Sequence, residues 1–425
     1  MIPVARHGGR RRPARSGRHA AAVALALLAA TAPLFAASPA AADSGLPRIP
    51  TAPPRNGGCV KPSAQHPAAV PWPQQYIAPS RAWDTTRGAG VTVAVVDTGV
   101  DASHSPALAG RVTPAASDAG TDCIGHGTFV AGLIAAAQQP GTGFAGVAPE
   151  ARILAVRATA TDGTATASSV AAGIGAASAR HARIIDVPIA LAKGSAELTA
   201  AVREATGRGA LVIAPAYASA TGGTDGPAPS AYPAALPGVL SVAALGPGGI
   251  PDRKSAPRTA PDLAAPGDAV LSVGPNGTGK FTGDGAEVAT AFVAGSAALA
   301  ASAHPDLTPS QLSARLVSTA YHSPADKALV GAGTVDPAAA VTAPVAASGT
   351  RRAAPRQEPL RLPSPQTHSG RSRAVTITAA AGAAVLVTAF AAFALPRARR
   401  RGWRPGDTTD PAGHRSSRAG DRSRY

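Results

Sequence analysis

Between residues 81 and 342, short apolar runs are separated by alanine-rich stretches with helical spacing. Val91-Thr92-Val93-Ala94-Val95-Val96 predicts the clearest strand. Arg152-Ile153-Leu154-Ala155-Val156, Ile184-Ile185-Asp186-Val187, Ala210-Leu211-Val212-Ile213 and Val239-Leu240-Ser241-Val242 predict four more. These runs are β-branched and continuously apolar rather than alternating, as strands covered on both faces must be. Helices are predicted near 127–137, 165–180, 196–207, 288–302 and 309–318, the last opening on a Thr308-Pro309 start signal. Strands alternating with helices predict an α/β domain with a mainly parallel sheet and helices on both faces.

The two ends follow a different pattern. Six arginines and no acid precede residue 19, an apolar run covers about 20–35, and Ala40-Ala41-Ala42 offers small residues for cleavage. Segment 1–42 reads as a secretory signal peptide, with a first membrane helix as the alternative. Residues 374–395 form an uncharged stretch long enough, at 1.5 Å per residue, to cross a ~30 Å hydrocarbon core. Arg397, Arg399, Arg400, Arg401 and Arg404 follow it and place a basic tail, 396–425, in the cytoplasm by the positive-inside rule. The folded region, an N-terminal extension (43–80) and the domain (81–342), is then extracellular. A Pro/Arg-rich stalk, 343–373, joins it to the span.

Charge looks at first like a nucleic-acid signal, since the chain carries +16 overall. The excess sits at the ends, with +6 in residues 1–42, +5 in 343–373 and +6 from 396 on. Residues 43–342 hold 19 basic and 20 acidic groups, so a basic groove for nucleic acid is excluded as a reading of the domain. Cys59 and Cys123 are the two cysteines of the sequence; in an exported domain a disulfide between them is expected, two free thiols being the alternative.

Asp97 follows the first strand in Val95-Val96-Asp97-Thr98-Gly99-Val100-Asp101, and the carboxyl ends of parallel strands are where ligand sites form. His126 lies in Gly125-His126-Gly127-Thr128-Phe129-Val130-Ala131-Gly132, at a helix start. Each taken alone reads more readily as a structural residue. In this order, with Tyr232-Pro233-Ala234-Ala235-Leu236-Pro237-Gly238-Val239, Ala264-Ala265-Pro266-Gly267 and Gly333-Thr334-Val335-Asp336-Pro337, the chain closely resembles the subtilisin-like (subtilase, peptidase S8) family. The extension with Cys59, the run Asp122-Cys123-Ile124-Gly125-His126 and the C-terminal span resemble the mycosins, subtilases associated with type VII secretion. The resemblance implies the subtilisin-like fold, no cofactor, a membrane and secretion-machinery components as partners, and a polypeptide substrate only if the protein is active.

It also implies a triad in which an aspartate orients a histidine that takes a proton from serine, with donors holding the oxyanion. Asp97 and His126 match the first two roles. The third position, fixed by Ala289-Thr290 and Phe292-Val293-Ala294-Gly295, holds Glu287, with Ala286 and Ala291 replacing the usual threonine and proline. Ala218, or less well Tyr217, falls where the oxyanion asparagine belongs, and loss of such a donor costs about 10²–10³ in rate. The substrate-binding run after an asparagine becomes Asp186-Val187-Pro188-Ile189-Ala190-Leu191, where Pro188 lacks an N–H for pairing with substrate. Attack by Glu287 on a peptide bond would give a mixed anhydride, far less accessible than a serine ester. The hydroxyls of Thr282 and Thr290 are out of register with the missing serine.

A carboxylate at position 287 suits the positive end of the 288–302 helix. It would also hold His126 protonated from the side opposite Asp97, an ionic bridge that closes the old site. His104, in Asp101-Ala102-Ser103-His104-Ser105-Pro106, reads as structural. Asp252, Asp262 and Asp268 form no EF-type loop, and no metal set, phosphate loop or haem motif is present in the sequence. Two functions compete: a degenerate mycosin-like scaffold or binding module in type VII secretion, and an active serine-type endopeptidase acting on secreted proteins at the cell surface. A surface-binding domain unrelated to secretion is the third reading.

Overall fold

The computed structural model describes residues 45–55, 57–217, 230–251, 259–323, 325–344 and 369–400. The expected signal segment, most of the expected stalk, the residues beyond 400, Ala218 and Asp252 lie outside them. The chain divides into two units, one ending at Val345 and one beginning at Ala346.

In the first unit, β1 (Thr92–Asp97), β2 (Val112–Pro114), β3 (Arg152–Arg157), β4 (Ile184–Asp186), β5 (Leu211–Pro215) and β6 (Val239–Gly246) are joined by a short edge strand, β7 (Ile250–Pro251), and by β8 (Leu263–Pro266). Among the described residues the sheet runs β2-β3-β1-β4-β5-β6-β7, with β8 also paired to β6. Every pairing is parallel except β6 with β7. The expected strands all form, with shifted ends. Asp97 is the last residue of β1 rather than the residue after it, because it pairs with Arg157 of β3. The fifth strand runs on to Gly246 because β8 continues the pairing from Val242 to Leu245 and β7 pairs Gly246 with Ile250. A separate antiparallel hairpin, β9 (Val270–Val273) with β10 (Lys280–Gly283), is absent from the sequence reading.

Alternation along β1 explains why both faces must be covered. Val93 and Val95 enter one core with Phe129, Leu133 and Phe292, whereas Ala94 and Val96 enter another with Val170, Ile174 and Val202. The first core is roofed by α2 (His126–Ala135) and α5 (Ala286–Ala303), the second by α3 (Ala167–Ala179) and α4 (Ala196–Gly207). An earlier helix, α1, covers Trp72–Ile77, and α6 (Pro309–Ser318), α7 (Lys327–Val330) and α8 (Pro337–Thr342) complete the unit. Thr308 caps α6 through a reciprocal capping box with Gln311, the device its Thr-Pro start signalled. Helix α5 is apolar enough to span a membrane, with a mean hydropathy of 1.4, but it is the buried central helix of this unit.

The N-terminal extension lies along the domain surface. Ile49 N–H donates to the Thr282 carbonyl at 2.7 Å, and Thr282 N–H donates to the Pro47 carbonyl at 2.9 Å. Further on, Cys59 and Cys123 form a disulfide, and Val60 N–H donates to the Cys123 carbonyl at 2.8 Å.

The second unit contains one helix, α9 (Ser369–Arg400). Its window Ala379–Arg397, with a mean hydropathy of 2.0, is long and apolar enough to cross a membrane.

Candidate active site

The strand order turns at β1, which has β3 on one side and β4 on the other, and the crevice at such a turn opens at the carboxyl ends of the strands. Asp97 ends β1 and Asp186 ends β4, so both acids lie there. His126 joins them from the first turn of α2. Its Nδ1 meets Asp97 Oδ2 at 2.6 Å, and Thr98 N–H donates to Asp97 Oδ1 at 2.7 Å.

The sequence around His126 explains its placement. Gly125 has φ 93°, and a Cβ there would come within 2.7 Å of Pro275. At Gly127 a Cβ would lie 2.1 Å from the Gly99 carbonyl oxygen. Glycine on both sides is therefore required to press the helix start against the end of β1. Asp122 supplies the cap that Gly125 cannot. Its Oδ1 accepts from Gly125 N–H at 2.7 Å and the Thr98 hydroxyl at 2.9 Å, and its Oδ2 accepts from Thr128 N–H at 2.8 Å and the Thr128 hydroxyl at 2.7 Å. Thr98 in turn accepts from Gly127 N–H at 2.9 Å. Burial raises the Asp122 carboxyl above its ordinary range, the bonds from Thr128 and Gly125 pull it down, and the Asp97 charge adds to the rise.

A cleft of about 390 Å³ lies over these residues. Asp97, Thr98, His126 and Glu287 line its floor side, Pro188 to Leu191 form an apolar wall, and Asp162, Gly163, Asp284, Thr51 and Ala52 close the remainder. Lining carboxylates outnumber cations: Asp97, Asp162, Asp284 and Glu287 face one imidazole. Hydrogen bonds from the Thr164 hydroxyl and amide hold Asp162 below the ordinary range. Asp284 accepts from Ala269 N–H at 2.7 Å and ion-pairs with Arg48 of the extension.

Electrostatics follows from this excess. Burial pushes the His126 imidazole down, but the charge and hydrogen bond of Asp97, then the charges of Glu287 and Asp122, outweigh it and raise it to about 9. The imidazole is therefore an imidazolium at neutral pH, with no lone pair to accept a proton. Asp186 is 0% exposed. Burial pushes its carboxyl up to about 8, with the Thr290 hydroxyl and His126 lowering it and Asp97 raising it. Among the described residues no protein group stands at hydrogen-bonding distance and geometry to either Asp186 oxygen; the Thr290 hydroxyl, near enough to lower the carboxyl, gives its proton to the Glu287 carbonyl at 2.8 Å. Asp186 is thus a neutral acid beside a charged histidine.

The structure brings Asp97, His126 and Glu287 to one cleft, with Pro188 in its wall. Tyr217 is buried just beyond β5, which ends at Pro215, and Thr282 lies in β10 beside the extension. His104 reaches both oxygens of Asp101 at 2.9 and 3.0 Å, and Asp101 Oδ2 also accepts from Asn276 N–H, so that pair fastens two loops. Asp262 accepts from Ser241, and the Asp268 carbonyl accepts from the Trp72 indole, so both serve packing. Among the described residues no three His, Cys, Asp or Glu side chains group as metal ligands. Sequence reasoning missed Asp122, Asp162, Asp284 and the role of Asp186. Asp122 carried a signal in the run that leads to His126, and Asp186 in standing where the family pattern has an asparagine.

Comparison with known proteins agrees with this geometry. The sequence pattern of the Subtilase family matches residues 88–336. Thermitase from Thermoactinomyces vulgaris is 37% identical over 235 residues, covering 54% of this chain and 81% of thermitase. Mycosin-3 from Mycobacterium tuberculosis (strain ATCC 25618 / H37Rv) is 31% identical over 432 residues, covering 86% of this chain and 92% of mycosin-3. Among solved structures, a chain in the periplasmic assembly from the ESX-5 inner membrane complex superposes with a TM-score of 0.62 at 26% identity, covering 75% of this chain and 96% of that one. With the Asp97–His126 pair set at a parallel-sheet crevice and a mycosin aligned along most of its length, the chain belongs to the subtilase family and, within it, to the mycosin type.

Proposed function

We propose that this protein is a membrane-anchored mycosin-type subtilase homologue that has lost peptidase activity and works as a scaffold or binding module in type VII secretion. The observation that carries the reading is Glu287 at the start of α5, where the family pattern calls for the nucleophilic serine, its charge helping to hold His126 protonated. A histidine that already carries the proton is no general base, and a carboxylate is no substitute for the hydroxyl. Similarity to a chain of the ESX-5 periplasmic assembly supports a place beside secretion components, and the apolar window Ala379–Arg397 supports a single span with the folded domain outside. The alternative, an active endopeptidase processing secreted proteins, is favoured by the intact 2.6 Å pair of Asp97 and His126.

The deciding experiment is hydrolysis of casein and a broad peptide library by the full chain in detergent, beside His126→Ala and Glu287→Ser variants. No cleavage by the natural protein supports the proposal. Cleavage that disappears in His126→Ala overturns it and restores the endopeptidase. Gain of cleavage in Glu287→Ser would show that the remaining frame still supports catalysis. The secretion assignment is tested separately by the genes alongside: a type VII ATPase and small WxG-type substrates support it, and their absence leaves the partner open.

A further inference from the structure

One wall of the cleft does not belong to the α/β frame. Thr51 and Ala52 come from the N-terminal extension, and the Thr51 carbonyl lies so close to Gly163 that a Cβ there would approach it to 2.5 Å. The extension thus forms a strap along the rim, held on either side of Thr51; beyond Cys59 the Val60 carbonyl accepts from the Asn276 amide at 3.1 Å and the Gln65 carbonyl from Lys280 N–H at 2.9 Å. Upstream, Arg48 ion-pairs with Asp284, Pro47 and Ile49 exchange two backbone hydrogen bonds with Thr282, and the Ile49 side chain is buried against Gly125 and Gly283. Downstream, the Cys59–Cys123 disulfide and the Val60-to-Cys123 hydrogen bond fix it to the loop that carries Asp122 and leads into His126. Between these attachments, Thr51, Ala52 and Arg55 are exposed. Cys59 is exposed and Cys123 half-buried, so the bond is open to attack from solvent.

The attachments nearest Thr51 differ in kind. The Arg48 side chain is 73% exposed, and ion pairs at such sites contribute little. The disulfide joins positions 64 residues apart and restrains the strap covalently, whatever the weaker contacts do. We propose that the Cys59–Cys123 bond is a redox latch, whose reduction by a dithiol lets the Thr51 strap leave the rim and widens the cleft toward an extended polypeptide. A thiolate of the dithiol attacks the sulfur of the exposed Cys59, Cys123 leaves as a thiolate and takes up a proton, and the second thiol of the reductant then displaces Cys59. Two electrons pass to the protein, which gains two thiols, and the dithiol becomes a disulfide. The device is independent of whether the cleft cleaves what it admits or only holds it.

Amide hydrogen exchange on the full chain in detergent micelles, with and without dithiothreitol, tests the latch. Reduction is expected to accelerate exchange at Ile49 and Thr282, and in the facing loop 159–165, by about a hundredfold, while Val212 and Ile213 in the sheet centre change by less than about tenfold. A Cys59→Ser/Cys123→Ser double variant is expected to exchange like the reduced protein without any reductant. Unchanged exchange at Ile49 and Thr282 after complete reduction would overturn the proposal, because the strap would then be held without the bond. Equal acceleration at Val212 and Ile213 would overturn it too, since the disulfide would then be a staple of the whole domain. Because reduction is applied to protein already folded, failure of the double variant to fold leaves the test in force.

Discussion

Replacing Asp186 by asparagine should stabilise the domain, by an amount that depends on pH in a specific way. The buried carboxyl titrates at about 8 against an ordinary 3.8, so between those values the folded chain holds a proton that the unfolded chain has released. Stability therefore falls as pH rises, by about 1.4 kcal/mol per pH unit for one proton, and the loss is complete above pH 8. At pH 7, roughly three units above the ordinary value, the burden is about 2–4 kcal/mol, taken as an order of magnitude for a fully buried group. Asparagine has nearly the same shape and no proton to take up, and its amide meets the same unpartnered surroundings as the neutral acid. The Asp186→Asn variant should thus be more stable by about 2–4 kcal/mol at pH 7, with a gap that shrinks toward zero near pH 4. Urea unfolding of the full chain in detergent, followed by tryptophan fluorescence at pH 4, 5.5, 7 and 8, measures that gap. A gap that is constant with pH, or a variant less stable at pH 7, would show that Asp186 is ionised in the folded chain and would refute the reasoning.

His126 adds a second, separable dependence. Raised from 6.5 to about 9, it contributes stability that is fully present below pH 6.5 and lost as pH rises through 9, at about 1.4 kcal/mol per unit; unfolding of the Asp186→Asn variant across that window should show the slope, and its absence would contradict the assignment. Glu287→Gln removes one of the charges that hold the imidazolium, so NMR titration should find His126 below about 9 yet above 6.5, since Asp97 remains. An unmoved titration would separate Glu287 from His126 electrostatically. Gly127→Ala would drive a methyl to 2.1 Å from the Gly99 carbonyl oxygen and should lower stability by about 1–3 kcal/mol or more, visible as a fall in Tm together with displaced His126 resonances.

Much of the fold was legible because the parallel strands are buried on both faces and so read as unbroken apolar runs. Helix α4 falls on the expected residues 196–207, since Ser195 caps it and Gly207 ends it. Strand ends were less legible: Asp97 and Gly246 lie in strands because Arg157 and Ile250 of β7 stand beside them, and neighbours are a tertiary matter. The β9–β10 hairpin was missed because its strands have four residues each and are separated by a polar loop, too short to show a period. At the site, Asp97, His126 and Glu287 were found through their motifs. Asp122, Asp162 and Asp284 were not, because each is an acid in a loop, and only folding reveals that they converge on one imidazole or one cleft.

Helix α5 carries nine alanines among its eighteen residues and is nonetheless the buried axis of the domain. An alanine side chain has no rotamers to lose, so half of this helix is fixed in the core without any side-chain entropy cost. The methyl groups also keep the helix slender, which lets Gly295 sit where a Cβ would come within 2.6 Å of Val147. The domain thus gains order at its centre from what its side chains lack rather than from what they bury, and evolution can repaint the cleft-facing end of α5 while the rest of the helix leaves almost no room for a larger side chain.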